Sequence, residues 1–207
     1  MTSPPEGVPV VVLAGGSSRR FGSDKLAAPL GGSSVLERAV AGIPSGWPVV
    51  LVGPPRPLAR PGARWVREDP PGGGPLAAVL TGLAACDGGV VAVLAGDMPA
   101  GGVVLRSLVA ALGTDETVGA AVAEDDDGRV TPLLGVYRRS SLAHLGLGTG
   151  HGGRAMALLD AGYVAVRVGA AAARDVDTPQ ALAAAEAEAD LGAAGASAIH
   201  AGDRPPG

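Results

Sequence analysis

The chain has 207 residues, among them 34 Gly, 18 Pro and only five aromatic side chains, with a formal net charge of −4. Because 47% of residues are apolar, disorder along the whole length is excluded, and the core has to be packed from aliphatic side chains. No basic block suggests nucleic acid, and no run approaches a membrane-spanning length or a signal region, so the expectation is a cytosolic protein without nucleic-acid or membrane partners. Cys86 is single, and His144, His151 and His200 lack the spacing of a zinc site. The 15 Arg stand against one Lys, at position 25, and there is no Asn. A residue that resists such a bias invites a functional reading.

In chain order, Val8 to Leu13 is a short apolar run that ends in glycines and reads as a buried strand. Ser33 to Ala41 reads as a helix, with Ser34 as cap and Glu37 completing a capping box. Pro48 to Gly53 and Arg64 to Arg67 repeat the strand pattern, and Gly74 to Ala85 is helical. Val90 to Leu94 is the most strand-like run and breaks at Ala95-Gly96-Asp97-Met98-Pro99; a helix over Val103 to Leu112 follows. Val118 to Ala123 and Val130 to Val136 flank an acidic Asp-Gly segment, the mark of a hairpin, whose three adjacent aspartates read as a solvated turn rather than a cation site. A helix near Arg154 to Leu159, a strand at Tyr163 to Val168 and an Ala-rich helix from about Thr178 complete the pattern, with a mobile tail over 191–207. Alternating strands and helices imply an α/β three-layer sandwich with a mostly parallel sheet and one β-hairpin.

The segment Leu13-Ala14-Gly15-Gly16-Ser17-Ser18-Arg19-Arg20-Phe21-Gly22-Ser23-Asp24-Lys25 begins at the carboxyl end of a buried strand, where open α/β sheets bind ligands. Glycine backbone N–H groups together with Arg19, Arg20 and Lys25 supply the chemistry that a polyphosphate requires. The spacing fits neither the dinucleotide fingerprint nor the P-loop, and a Gly/Ser turn with solvated arginines is the plainer alternative.

This segment resembles L-A-G-G-x-S-x-R-[MF]-G-x-D-K, the signature of the molybdenum cofactor guanylyltransferases (MobA-type) and their nucleotidyltransferase relatives, with Phe21 where Met is usual. The resemblance spans about Val8 to Leu182. It implies a Rossmann-like nucleotidyltransferase domain over 1–190 and a disordered tail beyond it. It also implies that Leu13, Ala14, Gly15, Gly16, Ser18 and Lys25 bind the nucleoside triphosphate, with Arg20 facing the pyrophosphate. A compact ammonium on phosphate is not readily replaced by a planar guanidinium, which accounts for the lone Lys.

Two further loops extend the resemblance. Asp69 followed by Gly74-Pro75-Leu76-Ala77-Ala78 is similar to the family's acidic position and G-P-L-A-G stretch against guanine; by composition alone it is a Pro/Gly linker before a helix. Ala78 replaces the last Gly, and Gly53 stands where the family tends to have a nucleotide-contacting Asn. Asp97 matches the family's magnesium-binding Asp, the alternative being a cap on the next turn. Asp175-Val176-Asp177-Thr178-Pro179 resembles the segment placed near the pterin or the metal; Asp177 or Thr178 could equally cap the last helix. Pro132 to Tyr137 resembles a family strand, and Arg154 meets either substrate phosphate or solvent.

The implied reaction is transfer of GMP from GTP to the terminal phosphate of molybdopterin, giving the guanine dinucleotide cofactor and pyrophosphate. Arg20, Lys25 and Asp97 are then the catalytic residues, and Mg²⁺ on Asp97 is the cofactor. Cofactor-biosynthesis proteins or recipient molybdoenzymes are the candidate partners. Cytidylyl transfer to the same cofactor and non-catalytic nucleotide binding are the rival readings.

Overall fold

Val10, Val11 and Val12 have no solvent exposure, because the first strand is covered on both faces and paired along both edges. That double burial is why it reads as a continuous apolar run rather than an alternating one. In the computed structural model, which describes residues 7–16 and 21–188, this strand is the middle of the parallel half of the sheet. The expected tail, 191–207, lies outside the described residues.

The elements are β1 (Val10–Leu13), a two-residue ribbon of β2 (Pro29–Leu30) and β3 (Ser33–Ser34), α1 (Val35–Ala41), β4 (Val49–Val52), β5 (Arg64–Val66) and α2 (Pro75–Ala84). They continue with β6 (Val90–Ala95), α3 (Leu105–Leu112), β7 (Ala120–Glu124), β8 (Val130–Arg138), α4 (Arg139–Ala143), β9 (Tyr163–Arg167) and α5 (Ala170–Ala173). A last helix, α6, is described over residues 179–188. The seven-stranded sheet has the order β5-β4-β1-β6-β8-β7-β9, and only β8 runs against its neighbours.

Side chains alternate between two cores, one on each face. Val10, Val12, Val49, Leu51, Ala92 and Leu94 face α1 and α3. Val11, Val52, Val91 and Val93 face α2 together with Tyr137 and Leu158. Helices on both faces of one sheet make the three-layer sandwich that the alternating pattern implied. Gly82 shows how closely α2 lies on β1, since a Cβ there would stand 2.2 Å from Val11 Cγ1.

Local chemistry explains the element starts. Ser34 Oγ accepts from the Glu37 N–H at 3.2 Å, and Glu37 Oε2 accepts from the Ser34 N–H at 2.8 Å, a complete capping box. The β2–β3 turn uses Gly31 and Gly32, both at positive φ as a two-residue hairpin requires. In the acidic hairpin Asp125 Oδ1 accepts from the N–H groups of Asp127 and Arg129, which makes these aspartates turn-formers.

Four segments differ from expectation. The helix read at Arg154 to Leu159 is a 3₁₀ segment, Ala155–Ala161, closed by the Gly162 N–H on the Leu159 carbonyl. The helix read from Val103 opens as a 3₁₀ turn, Gly101–Val104, before α3. The short helices α4 and α5 follow strands directly and carry no apolar periodicity long enough to read.

Candidate active site

Four parallel strands, β5, β4, β1 and β6, deliver their following loops to one edge of the sheet. The chain passes from β1 to β4 on one side and later to β6 on the other, so β1 marks a topological switch point. Leu13 to Gly16 leave β1 there. Ala14 is buried while Gly15 and Gly16 are exposed, and Gly16 holds φ +126°, a conformation that L side chains rarely adopt.

Asp97 reaches the same edge from β6 through Gly96. The Gly96 N–H donates to the Leu13 carbonyl at 2.9 Å, and a Cβ on Gly96 would stand 2.7 Å from that oxygen. Glycine is thus the residue that lets the Asp97 loop close on the end of β1. The segment from 175 to 177 comes from beyond β9, and the Val176 N–H donates to the Asp97 carbonyl at 2.9 Å. Val176 itself is buried, which sets Asp175 and Asp177 on either side of an anchored residue.

Lys25 joins these loops. Its Nζ donates to Asp97 Oδ2 at 2.5 Å and also to Asp177 Oδ1. The Lys25 and Asp97 side chains are largely buried, and Asp177 is more open. Partial burial alone would lower the Lys25 pKa, but the hydrogen bonds and charges of Asp177 and Asp97 outweigh it and raise the value. Asp175 shares this field. Displacement of water by surrounding protein, then the negative charges of Asp177 and Asp97, hold its carboxyl above the usual range.

The next residue toward the N-terminus is held as firmly. Asp24 Oδ1 accepts from the Leu26 N–H at 3.2 Å and caps the 3₁₀ turn Lys25–Ala27. Its carboxylate receives Arg56 Nε at 2.8 Å and Nη2 at 3.1 Å, while Arg56 Nη1 donates to the Ala14 carbonyl at 2.5 Å. The Arg56 hydrogen bond leads the interactions that hold Asp24 below the usual carboxylate value.

The loop after β5 carries exposed Asp69 and leads to Gly74, which caps α2 at φ +91° ahead of Pro75. Leu76, Ala77 and Ala78 are buried, so the Ala78 methyl packs into the core on the α2 side of the sheet. A glycine-rich loop, 146–153, lies on this stretch. The Gly152 N–H donates to the Gly73 carbonyl at 2.8 Å, and a Cβ on Gly150 would stand 2.9 Å from Ala77 N.

Of the expected site residues, Lys25, Asp97 and Asp177 are brought into direct contact, with Asp175 in their electrostatic neighbourhood. Leu13 to Gly16 adjoin them through Gly96. Asp69, Gly74, Pro75 and Leu76 lie on the neighbouring β5–α2 connection. Ser18 and Arg20 lie outside the described residues. Thr178 is the helix cap: its Oγ1 accepts from the Ala181 N–H at 3.1 Å, leaving Asp177 to Lys25. Arg56 escaped the sequence reading; an Arg that follows Gly-Pro-Pro after a strand was the available signal, but its partners lie up to 42 residues away.

A glycine loop, an ammonium and converging carboxylates at the switch point of a parallel sheet define a nucleotide-handling α/β protein. The particular family follows from comparison: the model of the MobA-like NTP transferase domain matches residues 10–166, and the chain belongs to that family of nucleotidyltransferases. A Chloroflexus aggregans protein described as "Probable molybdenum cofactor guanylyltransferase" is 41% identical over 143 residues, 65% of this chain and 67% of that protein. A Mycobacterium tuberculosis H37Rv protein of the same description is 41% identical over 169 residues, covering 76% and 82%. In fold, the chain matches the crystal structure of molybdopterin-guanine dinucleotide biosynthesis protein A from Archaeoglobus fulgidus with a TM-score of 0.67 at 24% identity, covering 89% of this chain and all of that one.

Proposed function

We propose that the protein transfers GMP from GTP to the terminal phosphate of molybdopterin, forming the guanine dinucleotide cofactor and pyrophosphate. The observation that carries this reading is the Lys25 ammonium seated between Asp97 and Asp177 beside the Leu13 to Gly16 loop. Relatives with the guanylyltransferase description support the choice of base and acceptor.

The residues fit a divalent cation. Asp97 and Asp177 point at one atom, Lys25 Nζ, and Asp175 shares their electrostatic neighbourhood. Among the described residues no group of three or more His, Cys, Asp or Glu side chains could hold a metal, so the described side chains offer it two carboxylates at most. That is the donor set for Mg²⁺, which keeps several waters and takes its other ligands from substrate phosphates. Bound there, Mg²⁺ supplies charge neutralisation to the phosphate oxygens.

The chain's own residues position the reactants. The Gly15 and Gly16 N–H groups, the Ser18 segment, Arg20 and Lys25 bind the triphosphate, and the loop from Asp69 through Gly74, Pro75 and Leu76 receives guanine. Asp175, beside the anchored Val176, serves the acceptor or the cation. An oxygen of the acceptor phosphate attacks the α-phosphorus of GTP. The new P–O bond forms as the bond to the bridging oxygen breaks, and pyrophosphate leaves with the electron pair. A phosphate monoester is already anionic and nucleophilic, so no general base is required; positioning and charge stabilisation by Lys25 and Arg20 accelerate the step.

Calorimetric titration with GTP and with CTP, each with Mg²⁺, tests the base assignment. Tighter GTP binding is expected, and a preference for CTP would move the reading to cytidylyl transfer.

A further inference from the structure

We propose that Arg56 is a positioning residue for the triphosphate, one that fixes the direction of the Gly15 N–H and the seat of Lys25 without touching the nucleotide. The inference rests on the reading that the Leu13 to Lys25 segment binds a nucleoside triphosphate.

The Arg56 guanidinium is committed on every nitrogen. Nε and Nη2 engage the two oxygens of Asp24 in a fork, and Nη1 donates to the carbonyls of Ala14 and Pro54. Its side chain is 13% exposed against 44% for Asp24. A guanidinium so occupied and covered acts through its partners, and a bidentate charge-assisted pair is the geometry in which Arg is not replaceable by Lys.

Both partners belong to the phosphate-binding machinery. Ala14 precedes Gly15 and Gly16, and the C=O of a trans peptide points opposite to the N–H that follows it. Drawing the Ala14 carbonyl onto Arg56 therefore aims the Gly15 N–H the other way, in a glycine pair with no side chains of its own to resist a peptide flip. At the far end of the signature, Asp24 caps the turn whose first residue is Lys25. One guanidinium thus restrains residues on both sides of the triphosphate segment.

Gly53 explains why the restraint comes from position 56. Gly53 lies directly on the Ala14–Gly15 peptide, where a Cβ would stand 2.5 Å from the Ala14 oxygen. No side chain at 53 can serve the loop, and the chain turns through Pro54 and Pro55 to bring Arg56 back to the same carbonyl.

The test measures GTP binding by calorimetry, and steady-state kinetics with molybdopterin, for Arg56→Ala, Arg56→Lys, Asp24→Asn and the double variant Arg56→Ala/Asp24→Asn, with melting curves to verify folding. The expected result for Arg56→Ala is a GTP Kd raised between about tenfold and about a hundredfold, with the KM for molybdopterin within about twofold. Arg56→Lys recovers only part of the loss, and the double variant is no worse than Arg56→Ala alone. If Arg56→Ala does not fold, Arg56→Lys and Asp24→Asn, which retain most of the packing, carry the same expectation of weakened GTP binding with an unchanged acceptor KM. GTP binding within twofold of the unaltered protein, an equal rise in the acceptor KM, or additive effects in the double variant would overturn the proposal and leave the guanylyl-transfer reading standing. Failure of the unaltered protein to bind any nucleoside triphosphate would remove both.

Discussion

Lys25 Nζ donates to Asp97 Oδ2 at 2.5 Å across 72 residues of chain, and the same ammonium donates to Asp177 Oδ1 across 152. One cation therefore screens carboxylates that arrive from two separate loops. If Lys25 also stabilises the departing pyrophosphate, Lys25→Ala slows GMP transfer on the order of 100-fold. Near-normal transfer by that variant would contradict the role.

The same contact makes a prediction independent of turnover. Removing the ammonium takes from Asp97 and Asp177 the cation that both contact, with Asp175 in the same electrostatic neighbourhood. The melting temperature of Lys25→Ala is expected to fall in metal-free buffer and to rise more steeply with added Mg²⁺ than that of the unaltered protein. Equal Mg²⁺ responses would show that the carboxylates do not form the cation site.

Gly53 is a packing constraint with a measurable cost. Its φ of +145° and the approach to Ala14 leave no room for a methyl group. Gly53→Ala is expected to cost about 1–3 kcal/mol, read from denaturant midpoints, and to weaken GTP binding because the Ala14–Gly15 peptide must move.

Tyr137 offers a contrast away from the site. It is fully buried in the core on the α2 side of the sheet, and its hydroxyl donates to the Pro132 carbonyl at 2.6 Å. Tyr137→Phe removes that buried hydrogen bond, so a loss of about 0.5–1.5 kcal/mol in stability is expected, with GTP affinity unchanged.

Acid stability carries the signature of Asp24. The Arg56 hydrogen bond chiefly lowers its pKa, and the Arg56 charge and two backbone N–H groups add to this against the cost of partial desolvation. A folded-state pKa below the ordinary value of 3.8 means that the stabilisation is present above that pH and is lost as pH falls through the folded value. Denaturant midpoints between about pH 5 and about pH 3 should therefore fall less steeply for Asp24→Asn than for the unaltered protein.

The legible parts of this molecule were those in which local pattern and burial agree. The runs at β1, β4 and β6 are apolar throughout because both faces are covered. Ser34 and Glu37 cap α1 through a purely local exchange of hydrogen bonds. Asp97 was readable from its place at the end of such a run, and the Leu13 to Lys25 signature from its residues. What could not be read depends on chain returning from a distance. The contact between Lys25 and Asp177 spans 152 residues, the fork between Arg56 and Asp24 spans 32, and neither leaves a periodic trace. The glycine-rich loop over 146–153 has no periodic pattern to place it, yet Gly150 and Gly153 are required by their approach to Ala77 and Leu76. The 3₁₀ form of Ala155–Ala161 likewise arises in a segment too short for helical periodicity to discriminate.

The most direct test of guanylyl transfer uses GTP radiolabelled at the α-phosphate, incubated with the full chain, Mg²⁺ and molybdopterin, with products separated by chromatography and pyrophosphate measured in parallel. The label is expected to move into a pterin dinucleotide with one pyrophosphate released per transfer, and this should depend on molybdopterin and greatly exceed the rate with CTP. Label that stays in GTP, or that appears only as free GMP whether or not molybdopterin is present, would contradict the assignment.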